Sequence, residues 1–151
     1  MPGKEEFEVP SIEKKWSIPE GENTVPKLLR ERARQFPNRR ALGTREFFTD
    51  GTRGPYEWLS YADFASLAAL CAEGLQRLGL RKGERVGIIS GNRPEWNIVD
   101  FACASLGLVL VPLYDSQSQS DIQFVIEETQ ISTIFVSLER AEKLLHVRDR
   151  F

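Results

Sequence analysis

The sequence predicts an α/β protein built on a βαβαβ segment of parallel sheet, preceded by a helix and a β-hairpin. Three observations predict this. Apolar runs of strand length stand at 85–90, 108–113 and 131–136. Helical patterns at 95–106 and 121–128 fall between them. Turn chemistry, Gly91-Asn92-Arg93-Pro94 and the polar run 115–120, separates each strand from the helix that follows. Strand, helix, strand, helix, strand is the order of parallel βαβ units.

In chain order, residues 1–22 are polar and mixed in charge, with Pro10, Pro19 and Gly21, and read as an extended arm. Trp16 and Ile18 are the residues that would dock such an arm on the body or on a partner subunit; a loosely attached terminus is the alternative. Residues 23–151 form the body. Thr24 is placed to cap a helix through its hydroxyl, with Pro26 in the first turn. Val25, Leu28, Leu29, Ala33 and Phe36 keep to one face of it, and Pro37-Asn38 ends it. Strand character at 41–48, a turn cluster at 49–54 and a returning strand at 55–59 predict a hairpin with a longer loop. Ser60 then caps a helix over 61–78, with Phe64, Leu67, Ala68, Cys71, Leu75 and Leu78 as its apolar stripe and Gly79 as its stop.

The run 108–113 has no polar alternation, so it is expected to be covered on both faces at the centre of the parallel sheet. Pro112 cannot donate to a ladder and should end the pairing. The helix before it is apolar most of the way round, with Asn97, Asp100 and Ser105 as its narrow polar strip. Such a helix needs cover on more than its sheet side, more than the chain is expected to supply. A further helix capped by Ser137 is expected to follow the last strand.

Composition bounds the chemistry. The 151 residues are 41% hydrophobic and 28% charged, with a formal net charge of −2, so no basic surface argues for nucleic acid. No apolar run reaches the roughly 20 residues needed to cross a bilayer. The acidic N-terminus has no apolar core of the secretory kind. Cys71 and Cys103 fall in apolar helical patterns and read as reduced, buried thiols. The single histidine, His146, excludes sites that need two. No G-x-x-x-x-G-K-[ST] or G-x-G-x-x-G is present, and no metal-ligand spacing. Gly91-Asn92-Arg93-Pro94 can hold an anion at a helix N-terminus or can simply start a helix with Pro94 at its first position. The 115–120 loop follows a strand end where open sheets bind ligands, or is a plain polar loop with Ser118 or Ser120 as helix cap.

Four stretches carry a family resemblance: Leu42-Gly43-Thr44-Arg45-Glu46, Pro55-Tyr56-Glu57-Trp58-Leu59-Ser60-Tyr61, Asn92-Arg93-Pro94-Glu95-Trp96 and Val111-Pro112-Leu113-Tyr114-Asp115. In these the chain resembles the N-terminal part of long-chain acyl-CoA synthetases, of the adenylate-forming (AMP-binding) superfamily. The resemblance implies a partial N-terminal subdomain of the adenylate-forming fold. It implies a ligase that joins a fatty acid to coenzyme A with ATP and magnesium, through an acyl-adenylate. It also implies an intracellular setting (endoplasmic reticulum, peroxisome or cytoplasm), with membrane association or a homodimer as family possibilities. The family's phosphate loop, adenylate motif, ribose-binding aspartate and C-terminal lysine are not in this sequence, so no catalytic residue carries over. This chain alone is expected to be inactive and to bind no cofactor tightly. By the same resemblance Tyr114, Asp115 and Ser116 would border the coenzyme A nucleotide, with Arg140 a further candidate. The alternative is a standalone, non-catalytic module of the same descent that binds coenzyme A or a protein.

Overall fold

The computed structural model describes residues 24–114, 116–142 and 144. The expected arm, His146 and most of the expected last helix lie outside the described residues.

Helix α1, Val25–Gln35, begins at Thr24, but the Thr24 side chain makes no cap bond. The Thr24 carbonyl instead accepts from Leu28 N at 3.0 Å, and a proline fills the first turn. Pro26 and Leu29 are buried, whereas Val25, Leu28 and Phe36 of the expected stripe stay exposed. The helix therefore presents a narrower edge than its apolar residues suggest.

Strands β1, Arg40–Phe47, and β2, Arg53–Ser60, pair antiparallel. Their turn is closed by Asp50, whose carboxylate accepts from Thr52 N at 2.8 Å and from Thr52 Oγ1 at 2.6 Å. Gly43 faces Trp58 across the ladder, and a Cβ there would lie 2.7 Å from the indole. The ring thus covers the glycine's bare backbone, and any side chain at 43 would displace it.

Helix α2, Tyr61–Arg77, opens with a capping box: Asp63 N donates to Ser60 Oγ at 3.1 Å and Ser60 N donates to Asp63 Oδ2 at 3.1 Å. It ends in a Schellman turn, with Leu80 N on the Leu75 carbonyl, Gly79 N on the Gln76 carbonyl and Gly79 at φ +89. Its buried residues are Phe64, Ala68, Ala72 and Leu75. Leu67 and Leu78 of the expected stripe are 38% and 72% exposed. The small side chains of Ala68 and Ala72 let neighbouring helices approach closely, and the buried strip runs through them and Leu75 rather than through Leu67 and Leu78.

The remaining elements are β3 (Arg85–Ile89), α3 (Pro94–Leu106), β4 (Val109–Pro112), α4 (Gln119–Thr129) and β5 (Thr133–Val136). The parallel sheet has the order β4-β3-β5. The central strand is therefore β3, buried from Val86 to Ile89. The expectation that 108–113 is central is corrected: β4 is an edge among the described residues, with Val109 49% exposed. Its apolar run reflects burial of the flanking Leu108 and Leu113. Within the strand no residue is buried, so the expected cover on both faces is also not met among the described residues. Pro112 does close the ladder, opposite Ile88.

Side chains of β3 alternate between two layers, as strand geometry requires. Val86 and Ile88 join Leu75, Val99, Ala102 and Cys103 in one core. Ile89 joins Leu113, Ile122 and Ile126 in the other. Helices thus lie on both faces, α3 on one and α4 on the other. The outer side of α3 is covered in part from within the chain: Leu29, Phe64 and Ala68 pack with the half-buried Ile98 and Phe101, the Phe64 and Phe101 rings meet edge to face at 4.9 Å, and Ala104 and Ser105 stay exposed. After β5, a 3₁₀ turn at Leu138–Arg140 stands where the last helix was expected to begin, and Ser137 makes no side-chain cap.

Two outcomes are expected. Leu75, 1% exposed, sits between helix and sheet, so Leu75→Ala should cost about 3 kcal/mol in a urea melt. Asp63 and Asp121 lie below their ordinary value of 3.8, first because the Ser60 and Ser118 hydroxyls donate to them. A carboxyl lowered by folding contributes stability above its unfolded value and loses it as pH falls through the lowered one. The melting-temperature gap between the wild type and Ser60→Ala should therefore be full at neutral pH and narrow below about pH 4.

Candidate functional site

The carboxyl ends of β3 and β5 open into two clefts. The larger, of about 820 Å³, lies between the hairpin and the β3–α3 turn, lined by Leu42, Glu57, Leu59, Leu67, Arg93 and Ile98 among others. The smaller, of about 370 Å³, is lined by Ser90, Arg93, Trp96, Phe135 and Ser137. In an open α/β sheet this is where ligands bind, because successive connections leave there toward opposite faces.

The turn Gly91-Asn92-Arg93-Pro94 borders the larger cleft. Arg93 is the extended residue before α3, at φ −157, and its side chain caps nothing. Its guanidinium forks onto Glu95, with Nε and Nη2 each 2.9 Å from a carboxylate oxygen. That pairing holds the Glu95 carboxyl below its usual range and keeps Arg93 protonated. The charge that would have served an anion is offset inside the turn, and Glu57 and Glu139 add negative charge to the rim. The geometry matches the helix-starting reading of the turn, with proline in its first positions.

Tyr114 and Ser116 are exposed in the loop after β4, and Asp115 lies outside the described residues. Tyr114 N donates to Gln117 Oε1 at 2.8 Å, and Gln117 N returns to the Tyr114 carbonyl at 3.1 Å, closing the loop on itself. Of the two candidate caps for α4, Ser118 is the one used, in a capping box with Asp121. Arg140 is half-buried in the 3₁₀ turn after β5, its backbone N donating to the Ser137 carbonyl at 2.9 Å. Its loop and that of Tyr114 follow strands on opposite sides of β3, roughly 10 Å apart at the spacing of paired strands. Neither cleft is lined by Tyr114, Ser116 or Arg140. The larger cleft was not legible as a site, because it needs the inner face of the hairpin and the β3–α3 turn to converge. The only local sign was that both of its walls, Leu42 to Glu46 with Pro55 to Tyr61 and Asn92 to Trp96, carry the resemblance.

Among the described residues no group of three or more His, Cys, Asp or Glu side chains could hold a metal ion. No described helix is long and apolar enough to cross a membrane. Both cysteines are free thiols. Cys103 is buried against the sheet, and burial, with Cys71 and Asp100 nearby, pushes it up to about 12.

Helices on both faces of a parallel sheet, with clefts at the strands' carboxyl ends, define an α/β domain of the doubly wound class. More particularly, the chain belongs to the AMP-binding enzyme family, whose model matches residues 29–150. It is 40% identical over 104 residues to fatty acyl-CoA synthetase A of Dictyostelium discoideum, covering 69% of this chain and 16% of that protein. It is 38% identical over 110 residues to the peroxisomal long chain acyl-CoA synthetase 6 of Arabidopsis thaliana, covering 73% and 16%. A solved structure of a putative long-chain-fatty-acid CoA ligase from Rhodopseudomonas palustris superposes with a TM-score of 0.71 at 28% identity, covering 85% of this chain and 30% of that one. The chain therefore spans about a sixth of the length of these curated relatives.

With its raised thiol, Cys103 should resist iodoacetamide at pH 8 in the folded protein and react in denaturant. Cys71, raised by burial but only half-buried, should be alkylated first, as peptide mass spectrometry after timed quenching would read.

Proposed function

We propose that this chain is the N-terminal scaffold of an ATP-dependent long-chain fatty acid–CoA ligase. In the full reaction a fatty acid and ATP give an acyl-adenylate and pyrophosphate, and coenzyme A then gives acyl-CoA and AMP. The observation that carries the reading is the likeness to proteins named as fatty acyl-CoA and long chain acyl-CoA synthetases, at up to 42% identity among those compared.

The chain's own residues support a positioning role rather than the chemistry. Catalysis of adenylation depends on donors and charges fixed around the transferring phosphoryl group. Here the turn arginine is committed to Glu95, the rim of the larger cleft is acidic, and no described cluster offers magnesium a ligand set. What the chain supplies is a parallel sheet covered by helices on both faces, whose carboxyl-end loops border the clefts. In this reading Tyr114 and Ser116, with Asp115 between them, border the coenzyme A nucleotide, and Arg140 stands on the far side of β3.

Palmitate-dependent exchange of pyrophosphate into ATP tests the proposal. The 151-residue chain should stay at background, and a polypeptide joining it to the rest of a family catalytic body should turn over. Exchange by the chain alone would overturn the scaffold reading. Failure of the joined enzyme on long-chain acids, with turnover on another carboxylic acid, would overturn the substrate class.

A further inference from the structure

Between α1, α2 and α3, where α1 begins, a groove of about 300 Å³ stays open. Its floor is Ala65, Ala68, Ala69 and Ala72, which the helical repeat brings to one face of α2. Leu29 and Phe101 wall it, and the α3 surface left exposed at Ser105 opens into it. Pro26, the second residue of α1, also lines it. The Ser105 hydroxyl already donates to the Ala102 carbonyl at 2.7 Å. The interior therefore offers apolar contact without a polar anchor, which suits a protein side chain better than a small polar ligand.

The stretch nearest this groove along the chain is the one that precedes α1, Trp16-Ser17-Ile18-Pro19-Glu20-Gly21-Glu22. Trp16 stands eight residues before Thr24, an extended reach of roughly 26 Å. Helix α1 is only about 16 Å long, so that stretch can turn back over the groove along the length of α1. In extended chain Trp16 and Ile18 fall on the same side. Charge agrees with this placement. Residues 1–22 hold three lysines and six glutamates, whereas α1 holds Lys27, Arg30, Arg32 and Arg34 against Glu31. The first turn of α1 has no acidic residue, so Glu20 and Glu22 suit the positive end of the helix. Arg30 is exposed at the groove itself. A tether this short holds Trp16 at a local concentration on the order of millimolar, above that of a second copy in dilute solution.

We propose that residues 16–22 fold back over this groove, with Trp16 and Ile18 seated on the alanine floor and Glu20 and Glu22 beside the start of α1. The segment then supplies cover for α3 that α1 and α2 leave incomplete. The proposal does not rest on the ligase reading, since the groove shares no residue with either cleft.

Fluorine NMR of the 151-residue chain labelled with 5-fluorotryptophan tests it. The three tryptophans give three signals, and Trp16→Phe identifies the one from the arm. That signal is expected to stand away from its position in denaturant. Ala69→Glu puts a charge at an exposed position of the groove floor. It should return the Trp16 signal to the denatured position while those of Trp58 and Trp96, which report the folded body, stay in place. Arg30→Gln should raise the undocked fraction by up to about fivefold, as for loss of an exposed ion pair. Glu128→Gln, on α4 across the sheet, should change nothing. A Trp16 signal that is at the denatured position from the start, or one indifferent to Ala69→Glu, would overturn the proposal. So would a displaced signal that fades on dilution, which would give the segment to a second copy.

Discussion

Every layer of this molecule is held by the burial of β3. It alone among the described strands has a parallel neighbour on each side, β4 and β5, and its side chains alternate between the two cores. Gly87 sits at its middle, where a Cβ would approach Ile134 at 3.1 Å. The missing side chain leaves room for the Ile134 and Ile131 side chains beside the strand. A one-residue slip of β3 would put Gly87 where Val86 packs, leaving a void in one core, and Ser90 where Ile89 packs, burying a hydroxyl in the other. The register of β3 therefore fixes where α3 and α4 lie and where the clefts open.

Local chemistry made most of the elements legible. Ser60, three residues before Asp63, and Ser118, three before Asp121, are capping boxes, and each acts within one turn of chain. Gly79 and the residues around it encode their own stop. What the sequence could not show depended on partners distant in the chain. The centre of the sheet was assigned to 108–113 because that run is the more apolar, although β3 with its glycine is the strand between two neighbours. Leu67 and Leu78 satisfied helical spacing as well as Ala72, and only the approach of α1 and α3 decided for alanine.

The candidate site was less legible than the fold for the same reason. Tyr114 and Ser116 were chosen by resemblance, and their loop closes on itself through Gln117 without lining either cleft, so neither cleft bears on that choice. The walls of the larger cleft come from elements more than 30 residues apart, and nothing in either wall marks it as half of a cavity. Arg93 looked available to an anion because its partner, two residues on, becomes visible only when the fork onto Glu95 is seen.

At the opposite end of the sheet, Gly107 leaves α3 at φ +67, its carbonyl accepts from Gly83 N at 2.9 Å, and the Lys82 stem lies against it. Beside it, Val109 N bonds the Glu84 carbonyl at 2.9 Å. The entries to β3 and β4 are thereby fastened to each other before either strand begins. With register anchored at that end, the loops at the other end are free to diverge in length and composition without disturbing the sheet. One scaffold can then carry many different rims, and inheritance can rework specificity while leaving the foundation alone.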